Sequence, residues 1–222
     1  MLPLNHYHPI PSAECNVYAM TQSSDKARLE KKLRKKQMLV QLECLKSQVN
    51  PHFLFNSLSI LSSLVRIDPA LSEQFIDHMS RTYRYILEKR DMPLVALRQE
   101  LELIQSFSFL LQIRFSDKFE LKMEISKTDM DRFKIAPLTL QWLVENAIRH
   151  NRMSVARPLV VHLSISDALL RVSNPVQLRS HSADSTGSGL QRIAQHYALL
   201  TPRPLIAGVY ENEFIVQVPL IG

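Results

Sequence analysis

A chain of 222 residues with 45% apolar side chains is long enough for one or two packed units and apolar enough for an ordinary core. Its net charge of +6 resides entirely in residues 26–36, where seven basic side chains meet one acidic, so the remainder balances at 20 of each sign. With no aromatic residue among those charges and no base-reading motif after them, no nucleic-acid partner is expected, and two cysteines, Cys15 and Cys44, exclude a disulfide framework or a cysteine metal site.

Residues 1–24 carry three prolines and no period, and read as a tail. A helical pattern starts near Ser24 or Asp25 and runs through Leu29, Leu33, Leu42, Leu45 and Val49. Its basic stretch, 26–36, suits anionic lipid heads or a solvated helix face. Asn50-Pro51 interrupts the pattern, because proline lacks the backbone donor and clashes with the preceding turn. Apolar spacing resumes through Phe53, Leu54, Leu58, Leu61 and Leu64, and two more helices are expected at about 70–90, after Asp68-Pro69, and 97–115. Past residue 116 the period changes: Phe119, Leu121, Met123 and Ile125 alternate with polar residues, the mark of a half-buried strand.

Pro137 is expected to open a helix to His150. Strands follow at 159–165 and 169–173, then a Ser- and Asp-rich loop and a helix over about 189–200. A hairpin at 206–210 and 214–218 turns through Glu211-Asn212. Helices first, then mixed elements, predicts an α+β chain. The expected division is a tail at 1–24, a helical region at 25–115 and an α/β sandwich at 116–222. No run of 18 apolar residues is present, and the amino terminus lacks a signal-peptide apolar core, so the sequence as it stands is expected to be cytoplasmic. Any membrane sensor would be missing from it or supplied by another chain.

Three segments carry chemistry. In QVNPHFLFN, residues 48–56, Asn50 can cap and Pro51 suits the first helical position, which leaves His52 in the first turn. Backbone donors there favour a negative group, such as a phosphoryl on the imidazole, and Asn56 lies one turn on to orient the ring. A capping histidine at a helix restart satisfies the same residues. In LVENAIRH, residues 143–150, Asn146 offers an amide oxygen to a hard cation, Glu145 a carboxylate for proton or water work, and Arg149 and His150 lie one turn on, within reach of phosphates. By itself this is an amphipathic helix with a wet face. In STGSGL, residues 185–190, Gly187 and Gly189 permit close backbone approach to phosphate at a helix start.

QVNPHFLFN resembles the H-box, QxNPHFLFN, of the LytS/YehU-type sensor histidine kinases, and the likeness spans about residues 37–220. SRTYRY, residues 80–85, resembles their LSxLLRY; Val95, Ala96 and Leu97 with Glu100 resemble VTLxEEL; Ile113, Arg114 and Phe115 resemble ERF. LVENAIRH is similar to the N-box of a GHKL ATPase domain, GSGL with Leu190 to its G2 box, and Pro219-Leu220 to its closing strand. The resemblance implies a helical dimerisation and phosphoacceptor module followed by a GHKL (Bergerat-type) ATP-binding sandwich. It makes His52 the phosphoacceptor, Asn146 the Mg²⁺ ligand and Glu145 a candidate base. ATP and Mg²⁺ are the implied cofactors, a response regulator of LytTR type the implied partner, a homodimer the implied state, and the inner face of the membrane the implied location.

The likeness departs at three places. Where the G1 box reads DxGxG, this chain has VSNPVQ, residues 172–177, with Asn174 in place of the adenine-accepting aspartate and neither glycine. An amide oxygen still accepts that bond, but losing the charge costs about 1–2 kcal/mol, roughly tenfold in affinity. In the helix usually reading GLxNIxxRY, Arg192 replaces the asparagine and His196 the arginine; Arg192 can reach a phosphate instead. Phe53 stands where many histidine kinases carry an acid, as is usual for this type. Two functions follow: an autophosphorylating kinase serving a two-component system, or a pseudokinase scaffold that binds a regulator or partner kinase without ATP turnover.

Overall fold

The computed structural model describes residues 51–178 and 188–222; the expected tail, the helix from Ser24 with its basic segment at 26–36, Asn50 and Gly187 lie outside the described residues. By its packing the chain divides between Leu54 and Phe55, and Phe55–Gly222 forms a unit with its own core.

Helix α1 is described over Pro51–Ile67. Asp68 then restarts the chain. Its carboxylate accepts from the Leu71 N–H at 2.9 Å, and with Pro69 in the first turn it opens α2 (Pro69–Lys89). After a two-residue strand β1 (Val95–Ala96), helix α3 (Leu97–Phe115) carries apolar residues on most of its circumference. Leu97, Leu101, Leu103, Ile104, Phe107, Leu110 and Leu111 are all buried, which makes α3 the central helix of the unit.

A 3₁₀ turn at Ser116–Lys118 leads into β2 (Phe119–Glu124), and the remaining elements are α4 (Lys127–Arg132), β3 (Lys134–Ile135), α5 (Thr139–His150), β4 (Leu159–Ser166), β5 (Leu169–Pro175), α6 (Ser188–Leu200), β6 (Ile206–Tyr210) and β7 (Glu213–Pro219). Five strands form one sheet in the order β2-β4-β5-β7-β6. β2 and β4 are parallel, with Phe119 opposite Leu159, and parallel neighbours require a crossover, which the segment holding α4, β3 and α5 provides. The other three pairings are antiparallel. Both hairpins turn on two residues with positive φ and no glycine: Asp167 and Ala168 at 53° and 58°, Glu211 and Asn212 at 47° and 68°.

Leu159, Val161 and Leu163 of β4 are buried, with Leu170 and Val172 of β5 and Val216 and Val218 of β7. α3 packs on β2 and on α5, and α5 packs on β4 and α6, so the helices form a layer against the sheet. This is the α+β arrangement expected from the sequence. The alternation over 119–125 is borne out, with Phe119 buried and Glu120, Lys122 and Glu124 exposed.

Two features were not expected. α4 is a single short helix capped by Ser126, whose hydroxyl accepts from the Asp129 N–H at 3.1 Å. β1 and β3 pair antiparallel, Val95 opposite Ile135, a ladder too short to leave a period in the sequence. The helix expected from Pro137 begins two residues later, at Thr139, because Leu138 takes a left-handed backbone with φ 64°. Among the described residues no helix is long and apolar enough to cross a membrane.

Because Phe107 is wholly buried in the central helix, Phe107→Ala is expected to lower unfolding free energy by about 3–5 kcal/mol, read from urea denaturation, with an unchanged far-ultraviolet spectrum.

Candidate functional site

The structure gathers the residues of LVENAIRH on α5 and ties both ends of that helix to neighbouring elements. At the amino end, α5 has no side-chain cap of its own, since Leu138 stands at the cap position. The cap comes from α3. The Glu100 carboxylate, completely buried, accepts from the Leu138 N–H at 2.6 Å through Oε1 and from the Leu140 N–H at 3.2 Å through Oε2. The Tyr85 hydroxyl, from α2, donates to the same Oε1 at 2.7 Å. On α6, the buried Tyr197 hydroxyl accepts from the Ala136 N–H at 3.2 Å and lies 3.3 Å from Thr139 Oγ1. Thr139 in turn donates to the Ala136 carbonyl at 2.7 Å. Three helices therefore converge on the amino end of α5.

At the carboxyl end the link is to the segment just after β5. Asn151, buried at the helix C-cap, donates through Nδ2 to the Ala147 carbonyl at 2.9 Å and accepts at Oδ1 from the Gln177 N–H at 2.7 Å. The Arg152 N–H donates back to the Gln177 carbonyl at 2.7 Å. The stretch that stands for the G1 box is thus sewn to the end of the helix bearing Glu145 and Asn146.

Between these ends, Glu145 and Asn146 are half-buried, as is His150, and Arg149 is exposed. Glu145 Oε1 accepts from Gln141 Nε2 at 3.0 Å, one turn earlier. Tyr83 of α2 packs with Tyr85 and Trp142 against a cluster of Ile86, Leu103 and Leu138. Burial and the nearby Glu145 charge push the Tyr83 phenol up to about 12. Asn174 is buried in β5, and its Nδ2 donates to the adjacent Pro175 carbonyl at 2.9 Å. Gly189, half-buried Leu190 and Arg192 stand in the opening turns of α6, and Gly187 precedes it outside the described residues. His52 and Asn56 stand one turn apart on α1, with His52 exposed and Asn56 half-buried.

The sequence reading did not single out Tyr85, Asn151 and Tyr197 as site-forming, and gave Glu100 no role. Each carried a signal: Tyr85 and Glu100 fall in the LSxLLRY and VTLxEEL likenesses, Tyr197 closes GLxNIxxRY, and Asn151 follows LVENAIRH directly.

Residues 40–119 match the family model described as histidine kinase. The sensor histidine kinase YpdA of Escherichia coli (strain K12) is 34% identical over 152 residues, covering 68% of this chain and 26% of that protein. The sensor protein LytS of Bacillus cereus is 37% identical over 110 residues, 50% of this chain and 18% of that protein, and LytS of Bacillus subtilis (strain 168) is 35% identical over 124 residues, 56% and 20%. Among solved structures, the Acinetobacter baumannii histidine kinase AdeS aligns over 75% of this chain and 95% of its own with TM-score 0.37 and 12% identity. The Erythrobacter litoralis EL346 blue-light activated histidine kinase aligns over 76% and 60% with TM-score 0.37 and 16% identity. Residues 40–119 are those of a histidine kinase. Within that class the chain belongs to the LytS-type sensor histidine kinases, and it spans 18–26% of the length of the relatives named here.

Glu100 makes a pH dependence expected. Burial raises its carboxyl from the ordinary 4.5 to about 7, against the opposing pull of Tyr85 and the two backbone donors. The groups facing it are the Tyr85 phenol, itself raised by burial and the Glu100 charge, and the Tyr197 phenol, raised by burial. The folded chain holds this proton more tightly than the unfolded one, so the contribution is full below pH 4.5 and is lost as pH rises through 7. Relative to Glu100→Gln, the wild type should lose about 3 kcal/mol of unfolding free energy between pH 4.5 and 7.5. Parallel denaturation curves for the two proteins across that range would contradict the assignment.

Proposed function

We propose that the chain is an ATP-dependent histidine kinase that phosphorylates itself on His52 and passes the phosphoryl group to an aspartate of a response regulator. The observation that carries this reading is the exposed His52 on α1, inside the region matched to the histidine kinase family. The Asn50-Pro51 pair in the sequence favours a helix start just before His52, where backbone donors and the helix dipole favour the negative charge that a phosphoryl group brings.

In the transfer, a His52 ring nitrogen attacks the γ-phosphorus in line, the bond to the β,γ-bridging oxygen breaks, and ADP leaves with that electron pair. The imidazole N–H proton must be taken up, and Glu145 is the carboxylate on α5 assigned to it, oriented by Gln141. Asn56, one turn beyond His52, orients the ring. Arg149 and His150 meet phosphate oxygens, Gly187, Gly189, Leu190 and Arg192 are assigned to the phosphates by their likeness to the G2 box, and Asn174 accepts from the adenine amino group.

Among the described residues no group of three or more His, Cys, Asp and Glu is placed to hold a metal. Asn146 with substrate phosphate oxygens fits the sparse protein ligand set that Mg²⁺ takes. Bound there, Mg²⁺ would neutralise charge developing on the phosphates.

Membership of the LytS-type sensors supports a response regulator partner, and a LytTR-type regulator is the proposed one. Phe55, Leu58, Val65 and Ile67 of α1 and Ile76 and Leu87 of α2 are exposed apolar residues that a twin subunit would cover, which supports a homodimer. Association with the inner membrane face is proposed on the same membership, with residues 26–36 as the basic contact.

A second reading, the scaffold without turnover, is favoured by Asn174. Its amide donates within its own strand and brings no charge to the adenine site.

Incubation with γ-labelled ATP should yield an acid-labile, base-stable label on the wild type and none on His52→Gln. An unlabelled wild type that still recruits a regulator would move the assignment to the scaffold. Asn174→Asp is expected to tighten nucleotide binding about tenfold by equilibrium titration, restoring the charge-assisted bond.

A further inference from the structure

We propose that Tyr85 and Glu100 are positioning residues for the nucleotide site, fixing through the amino end of α5 the place at which Asn146 is presented. This rests on the reading of α5 as the nucleotide helix.

The arrangement at Leu138 points to more than helix stability. A helix that needs only its first N–H groups satisfied can use Ser, Thr, Asp or Asn at the cap position. Here the cap position is held by a buried leucine in left-handed backbone, and the acceptor is a carboxylate from another helix. Burying a carboxylate is costly unless its partners are fixed. Glu100 has three such partners on two elements. Its two oxygens each take a different α5 N–H, Leu138 on Oε1 and Leu140 on Oε2. A two-point grip resists rotation of the helix about its axis as well as sliding along it.

Asn146 lies six residues beyond Leu140 on the same uninterrupted helix, about 9 Å along the axis. A shift or turn at the amino end is therefore carried to the amide. Tyr85 completes the grip by holding Oε1 from α2 at 2.7 Å. The same stretch of α2 packs Tyr83 and Ile86 against Leu138 and Trp142. Helix α2 thus sets where Glu100 points, Glu100 sets where α5 starts, and α5 sets where Asn146 stands. Withdrawing Tyr85 removes one of the three donors that keep the carboxylate aimed.

The test uses the full chain as wild type, Tyr85→Phe and Glu100→Gln, each first checked for cooperative unfolding. Tyr85→Phe removes one hydroxyl and keeps the ring in its cluster, so it folds even where Glu100→Gln is weakened. Two quantities are read: amide hydrogen exchange over 138–146, and the dissociation constant for ATP with Mg²⁺ well below the melting temperature. In both variants exchange over 138–146 should quicken while β4, β5 and β7 stay protected, and nucleotide affinity should fall about three- to tenfold. Unchanged exchange would overturn the proposal. Faster exchange with unchanged affinity would also overturn it, leaving Glu100 as a structural cap. A wild type that binds no nucleotide would instead remove the reading of α5 itself, and this proposal with it.

Discussion

The capping of α5 by a buried carboxylate is the interaction around which the rest of the unit is arranged. Glu100 reaches Leu138 and Leu140 from α3, the helix whose Leu97, Leu101, Ile104, Phe107 and Leu110 lie at the centre of the core. Leu138 can adopt φ 64° only because its N–H finds that carboxylate in place of an ordinary helical partner. Tyr85 and Tyr197 then arrive from α2 and α6, so one helix terminus is the meeting point of four helices. Remove the carboxylate and two buried N–H groups and one phenol lose their acceptor together, a penalty of order 1–3 kcal/mol for each.

Gripping a functional helix at both ends has a chemical use. Sites built on helices held by neighbouring side chains are more accurately placed than sites on loops, and phosphoryl transfer depends mainly on positioning. Glu145 and Asn146 sit between the Glu100 grip and the Asn151–Gln177 clamp. That clamp reaches the strand end holding Asn174, so the residues assigned to metal, base and adenine share one frame.

Much of the fold was legible because its signals are local. Asp68-Pro69 marks the start of α2 through capping and fixed φ, residues 119–125 alternate because one face of β2 is buried, and Glu211-Asn212 marks a hairpin through positive φ. The start of α5 was misplaced by two residues because its cap is non-local: nothing at Pro137 or Leu138 announces a carboxylate 38 positions upstream. Glu100 itself reads as a first-turn acid of α3 exposed to water, the usual place for one. The β1–β3 ladder is two residues long and exists only through tertiary pairing. Within the site, motif residues were nameable from likeness alone, whereas the tyrosines and Asn151 that hold them act through distance in space.

The proposed kinase activity requires that α5 be the helix that meets nucleotide. The most direct measurement is titration of isotopically labelled full chain with ATP and Mg²⁺, followed by backbone amide resonances. Shifts are expected on residues 143–151, on 172–178 and at the start of α6, with β2 and α4 unaffected. Saturable shifts confined to other surfaces, or none at millimolar nucleotide, would contradict it.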